Sequence, residues 1–167
     1  MNWPLIKAIL ILPGTALIYV PVIVLWAAAG TSYSASLATP ATASFWIAAV
    51  FAGCGLALAA WTVRLFARFG DGTPAPWNPP ERLVVRGPYR HVRNPMITAV
   101  LLMLAGEALM LRSWPLAGWI VLFFAVNAVY FPLSEEKGLE GRFGHDYRAY
   151  KAHVPRWIPR LRPWDGA

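Results

Sequence analysis

The sequence predicts an all-α integral membrane protein with about four transmembrane helices and a pocket on its cytoplasmic side. Three observations carry that prediction. Of the 167 residues, 57% are apolar and 14% charged, against about 45–50% and about 25% in soluble domains. The apolar residues gather into four long runs. The basic residues gather into every second connection. The mean hydropathy of +0.47 agrees, and the composition excludes a disordered chain, a collagen-like fibre and a soluble domain. Cys54, with no partner cysteine, excludes a scaffold stapled by intrachain disulfides.

The runs are residues 5–29, with one charge at Lys7; 45–65, with Arg64 near its end; 96–111, with Glu107; and 114–133, with none. A spanning helix needs roughly 20 mostly apolar residues. The first, second and fourth runs meet that length. The third is short, so it crosses with little tilt or forms a re-entrant segment. We read four spans. Ala27 and Ala29 resemble a signal-peptide cleavage site, but the run before them exceeds the usual h-region, and Pro13 and Pro21 interrupt it. A retained helix is the expectation, with neighbouring helices satisfying the carbonyls that the prolines free.

Arg68, Arg82, Arg86, Arg90 and Arg93 lie between the second and third runs, and seven further Lys and Arg residues follow the fourth. Residues 30–44 carry no charge, and Arg112 alone sits on the other side. This asymmetry places both long polar segments and both termini in the cytoplasm. It also accounts for an isoelectric point near 10.1 without a nucleic-acid partner. Tryptophans near the run ends form an aromatic belt. The domain reading is therefore one membrane-embedded unit, 1–167. It comprises two spans in 1–66, a cytoplasmic loop in 67–95, a helical hairpin in 96–133 and a cytoplasmic C-terminal segment in 134–167.

The chemistry lies in the two cytoplasmic segments. The first opens GDGTPAPWNPP, an irregular loop, and continues ERLVVRGPYRHVRNP. In the second, Leu139, Phe143, Tyr147 and Tyr150 share one helical face. Gly144 is expected to break that helix, and Pro155, Pro159 and Pro163 make the tail extended. Glu135 and Glu136 follow Pro132 at the lip of the fourth run, where low dielectric makes an unpaired acid costly. Arg90 and Arg93 hold the equivalent lip before the third run. The short turn at Arg112 brings the two lips together. Acids and arginines can then converge on a pocket, or serve as interfacial salt bridges anchoring the hairpin; the chemistry alone favours neither. Glu107 reads as a structural acid partnered by Arg112. His91, His145 and His153 read as surface residues, and with Cys54 they show no metal-ligand spacing.

The run GPYRHVRNPMI, followed about forty residues later by EEKGLEGRFGHDYRAYKAHVPRWIP, resembles the isoprenylcysteine carboxyl methyltransferase family, in a bacterial-type member, and is similar to the related phospholipid N-methyltransferases. The resemblance covers residues 83–159. It implies a multi-pass enzyme of a bacterial inner membrane that uses S-adenosyl-L-methionine on a membrane-dissolved lipid or isoprenoid-type acceptor, a prenylcysteine carboxylate among them. Its partners are then membrane lipids and that lipophilic acceptor. By the same resemblance, Leu83, Val84, Tyr89, Asn94, Pro95, Met96, Ile97, Glu135 and Tyr147 line the cofactor site, with Glu81 and Arg82 just upstream. Tyr150 completes an aromatic pair with Tyr147. Arg93 and Glu135 are the candidate catalytic residues. The physics fits: Glu135 can accept from the cofactor's ammonium, Arg93 or Arg90 can face its carboxylate, and a tyrosine can meet the sulfonium with its ring or simply pack. Phe131 stands where prenylcysteine enzymes carry an Arg that resembles a substrate-carboxylate clamp; Arg142 is the candidate substitute. Two alternatives fit the same segments: an NADPH-dependent reductase of the sterol-reductase type, and a non-enzymatic lipid-binding subunit.

Overall fold

The computed structural model describes residue 11 and residues 13–70 and 81–166, and its elements there are helical, with no strand. The start of the first expected span and most of the GDGTPAPWNPP loop lie outside the described residues. The first helix, α1 (Thr15–Ala28), opens with a π-helical stretch, Thr15–Tyr19. Pro21 follows that stretch and has no N–H to donate, so the widened turn absorbs the proline without breaking the helix.

Helix α2 (Ala43–Phe69) has 27 residues, about 40 Å at 1.5 Å per residue. Helix α3 (Pro95–Met110) has 16 residues, about 24 Å. The two run antiparallel and touch through their backbones. A Cβ on Gly55 would stand 2.8 Å from the Ala99 carbonyl, and one on Gly106 would stand 3.0 Å from the Ala48 carbonyl. Ala48 and Ala99 are completely buried in the seam. Small residues replace the large apolar core of a soluble protein here, as close packing between helices in lipid requires.

A turn with Arg112 at φ +47° leads to α4 (Trp114–Tyr130). Ser113 caps it, its Oγ accepting from the Leu116 N–H at 3.4 Å. Trp119 Nε1 donates to the Ala16 carbonyl (3.0 Å), tying α4 to α1. Ala16, Val100 and Leu104 form the buried centre between α1 and α3, with Trp119 and Phe123 of α4 against it. On the far side, the N–H groups of Ser36 and Ala38 donate to the carbonyls of Leu111 and Met110, so the uncharged loop folds over the hairpin turn.

The outer faces are apolar and bare. Ile18, Val22 and Trp26 on α1, Val50 and Leu56 on α2, and Val121, Leu122 and Val126 on α4 are exposed. A surface of this kind suits a hydrocarbon solvent. Among the described residues, two helices are long and apolar enough to cross a membrane: Ala43–Phe69, and the kinked rod Trp114–His153, whose apolar part is the α4 end.

That rod departs from the expected pattern. The sequence ends the fourth run at Leu133 and starts an amphipathic helix near Leu139. Instead the chain passes through a π-helical stretch, Phe131–Glu135, directly into α5 (Glu136–His153). Pro132 sits in the wide turn, as Pro21 follows one. Gly144 breaks the helical dihedrals within α5 (φ +52°, ψ −119°), as its position predicts.

Candidate functional site

Three pieces of chain meet at the polar end of the bundle: residues 81–94, helix α5 and the tail 155–164. Gly87 starts the assembly. It has φ +54°, and a Cβ there would come within 3.0 Å of the Trp61 ring, so glycine lets the loop lie against α2. A 3-10 turn, Gly87–Arg90, then buries Tyr89. The Tyr89 ring meets Phe66 edge-on at 5.5 Å, and its carbonyl accepts from the Tyr150 hydroxyl at 2.7 Å. Tyr147, Tyr150 and Val154 form one buried cluster, with Leu83, Val85 and Phe143 packed on it.

The tail lies along the same loop. The N–H of Arg93 donates to the Pro155 carbonyl (2.9 Å), that of Arg160 to the His91 carbonyl (3.0 Å) and that of Trp164 to the Arg90 carbonyl (3.0 Å). Arg90 is turned to the tail, with Nε on the Trp164 carbonyl (2.8 Å) and an ion pair to Asp165. His91 meets the Arg160 carbonyl through Nδ1 (2.8 Å), and His153 stacks on Trp164. Arg93 points inward instead.

The acid that meets Arg93 is Glu136, one residue after Glu135. Arg93 Nη1 donates to Glu136 Oε1 at 2.8 Å. Arg156 binds the same carboxylate at two points, Nε to Oε1 at 2.7 Å and Nη2 to Oε2 at 3.0 Å. Lys151 Nζ stands 3.4 Å from Oε2 and 2.7 Å from Glu140 Oε1. Glu136 is 3% exposed. Burial opposes its ionisation, but Arg156, Arg93 and Lys151 outweigh burial and hold its carboxyl below the usual carboxylate range.

Glu135 has the opposite balance. Half-buried, its carboxyl is raised by burial and by Glu136 beside it, with Arg142 working against both. Glu135 in turn adds to the burial that lifts the phenols of Tyr89 and Tyr147, the latter to about 12. Arg93 also acts on Tyr147, in the opposite direction, through its charge and a side-chain hydrogen bond. Glu135 thus lies near enough to Tyr89 and Tyr147 to act on both, and Arg93 near enough to act on Tyr147. Beside Arg93, Asn94 stands at the N-terminal cap position of α3 without a side-chain capping bond, and the Nε of Arg93 and the Nδ2 of Asn94 are buried donors with no hydrogen-bond partner.

The other sequence-derived candidates spread outward. Pro95, buried, and Met96 and Ile97, half-buried, form the first turn of α3. Arg82, Leu83 and Val84 line a groove of about 230 Å³ with Arg68, Phe69 and Arg86, and Leu83 also reaches the tyrosine cluster. Glu81 is exposed, its N–H donating to the Gly70 carbonyl (2.9 Å). A larger apolar cleft of about 400 Å³ lies between α2, the first turn of α3 and the tail, with Leu58, Trp61, Val92, Thr98 and Pro159 on its walls. Phe131 is buried against Trp157, which also meets Phe124.

The sequence names Glu136 with Glu135 as acids able to converge with Arg90 and Arg93, but it gives the site role to Glu135 alone and none to Arg156 or Lys151. One signal was present: Glu136 and Glu140 stand one helical turn apart in a segment rich in cations, a spacing that puts both on one face.

The phospholipid methyltransferase family matches residues 43–146. The chain belongs to that family. The match runs from the start of α2 through both lips of the site, taking in Tyr89, Arg93, Glu135 and Glu136, and stops one residue before Tyr147. A phospholipid methyltransferase is a membrane methyltransferase, which agrees with the bare apolar faces of α2 and α4. No curated protein and no solved structure matches the chain.

Proposed function

We propose that this family member transfers a methyl group from S-adenosyl-L-methionine to a lipid or isoprenoid-type acceptor dissolved in the membrane. In this reading α1 to α4 all cross the bilayer of a bacterial inner membrane, and the segments 67–95 and 134–167 close a cofactor pocket on the cytoplasmic face. The observation that supports the reading is a pair of opposite needs on the two segments that meet at Arg93 and Glu136. Arg93 Nε and Asn94 Nδ2 are buried donors without acceptors. Glu135 is a half-buried carboxylate whose charged form is disfavoured where it stands. A buried donor without a partner costs about 1–3 kcal/mol. A zwitterion with a carboxylate and an ammonium satisfies both, and the amino-acid end of the methyl donor is such a group.

The residues present fit that cofactor. Arg93 and Asn94 would take its carboxylate and Glu135 its ammonium, in charge-assisted hydrogen bonds. Tyr89 and Tyr147 offer aromatic rings, where a cation is worth about 0.5–2 kcal/mol. Leu83 and Val84 offer backbone groups and apolar contact. When bound, the sulfonium supplies an electrophilic methyl group. The protein's part is then to bind, align and keep water out. The tail strapped over residues 90–93 contributes that shielding, and held geometry can supply about 7–11 kcal/mol of a barrier. The apolar cleft, which shares Pro95 with the cofactor residues, suits the hydrocarbon part of an acceptor. No side chain need act as a strong base if the acceptor atom is already anionic.

Incubation of the purified protein with methyl-labelled donor and a total lipid extract, followed by mass analysis, tests the proposal. Labelled lipid should appear and should vanish in Glu135→Gln. Absence of any labelled lipid product, with the donor returned intact, would contradict it.

A further inference from the structure

The two adjacent acids divide the work, and the geometry says how. A carboxylate offers about four acceptor positions. On Glu136 they are taken: Oε1 by Arg93 Nη1 and Arg156 Nε, Oε2 by Arg156 Nη2 and Lys151 Nζ. Glu136 therefore has no room for a ligand's ammonium. Its partner Arg93 is different. The Arg93 side chain is 9% exposed, its Nη1 is engaged, and its Nε is not. Arg156, on the same carboxylate, is 27% exposed. Two further features hold Arg156 in place. The Pro155 carbonyl accepts from the Arg93 N–H, and Trp157 is wedged against Phe124 and Phe131. Among the described residues of this cluster, three cations (Arg93, Lys151, Arg156) face two carboxylates (Glu136, Glu140). The open donor is on the buried member of this cluster.

We propose that Glu136 and Arg156 are positioning residues for Arg93: their two-point ion pair fixes the carboxylate that holds Arg93 Nη1, so that Nε, with Asn94 Nδ2, stays presented to a ligand carboxylate. This rests on the methyl-donor reading above and specifies which end of the donor the cluster recognises. A guanidinium is a planar fork with fixed donor directions, so fixing Nη1 restricts where Nε can point. Lysine in place of Arg156 keeps the charge and gives up the fork.

The test compares two probes on the full-length protein in detergent micelles by calorimetry: S-adenosylhomocysteine and its decarboxylated analogue, which lacks only the carboxylate. The wild type should prefer the carboxylate-bearing probe. In Arg156→Lys its affinity should fall about tenfold or more, the worth of one hydrogen bond to a charged group, while the decarboxylated analogue changes by less than about twofold. Arg156→Gln reads the same ratio if the lysine variant does not fold. Equal weakening of both probes overturns the proposal, because it marks a merely structural role. Unchanged affinity for both also overturns it. A wild type that binds both probes equally overturns it as well, leaving the methyl-donor reading intact. A wild type that binds neither overturns the methyl-donor reading, and this inference with it.

Discussion

Replacing Glu136 by glutamine strands the Arg93 guanidinium. The carboxylate is 3% exposed and holds three cations. Those cations differ in what they can do next. Lys151, 38% exposed, and Arg156, 27% exposed, can turn towards water. Arg93, 9% exposed, cannot. Removing one partner of a buried ion pair costs about 3–5 kcal/mol, because the survivor is left without compensation. The glutamine carbonyl can still accept one hydrogen bond, so the lower end applies. For a chain of this size 1 kcal/mol corresponds to about 2–4 °C in Tm, and the expected loss is therefore about 6–12 °C. Glu140→Gln is the internal control: its pair with Lys151 is 33% and 38% exposed, and exposed pairs are worth about 0–1 kcal/mol. Thermal melting of the purified protein in detergent, followed by tryptophan fluorescence, reads both. Adding Arg93→Met to Glu136→Gln should recover part of the loss, since the stranded charge goes with it. If Glu136→Gln and Glu140→Gln melt together, or the added Arg93→Met lowers Tm further, the buried-hub reasoning is refuted.

Three further outcomes follow from the same structure. The Glu136 carboxyl lies below the ordinary range, so its stabilisation is fully present above the unfolded value of about 4.3 and is lost as pH falls through the folded value; the acid limb of a Tm-against-pH curve should be shallower in Glu136→Gln than in wild type. Glu135 is raised, so the sign reverses: its ionisation erodes stability as pH rises from the unfolded to the folded value. At neutral pH, Glu135→Gln should therefore melt higher than the wild type without ligand, yet bind S-adenosylhomocysteine more weakly, and a Tm at or below wild type would contradict this. In the α2–α3 seam, Gly55→Ala should lower Tm, because its Cβ would stand 2.8 Å from the Ala99 carbonyl, whereas Gly53→Ala, with nothing within 4 Å, should raise it slightly through helix propensity. Equal effects at the two glycines would show that the helices are not in backbone contact.

Much of the fold is legible in the sequence because lipid-facing helices are written in apolar run length. The runs 45–65, 96–111 and 114–133 correspond to Ala43–Phe69, Pro95–Met110 and Trp114–Tyr130 within a few residues at each end. The convergence of the two polar segments follows from the short turn at Arg112. The choice between Glu135 and Glu136 does not, for a physical reason. Each helical residue turns about 100°, and the π-helical stretch at Phe131–Glu135 changes the phase at which α5 begins. Straight α-helical periodicity therefore cannot say which neighbour faces Arg93. Arg156 was hidden differently. It sits in an extended tail with no periodic pattern, and its placement depends on backbone hydrogen bonds to residues far earlier in the chain, such as Arg160 to His91 and Trp164 to Arg90.

Equilibrium binding of S-adenosylhomocysteine and of NADPH to the purified protein tests the central claim most directly. The account predicts saturable binding of the homocysteine compound at one site per chain, weakened in Glu135→Gln, and none of NADPH. Saturable binding of NADPH with none of S-adenosylhomocysteine would contradict it.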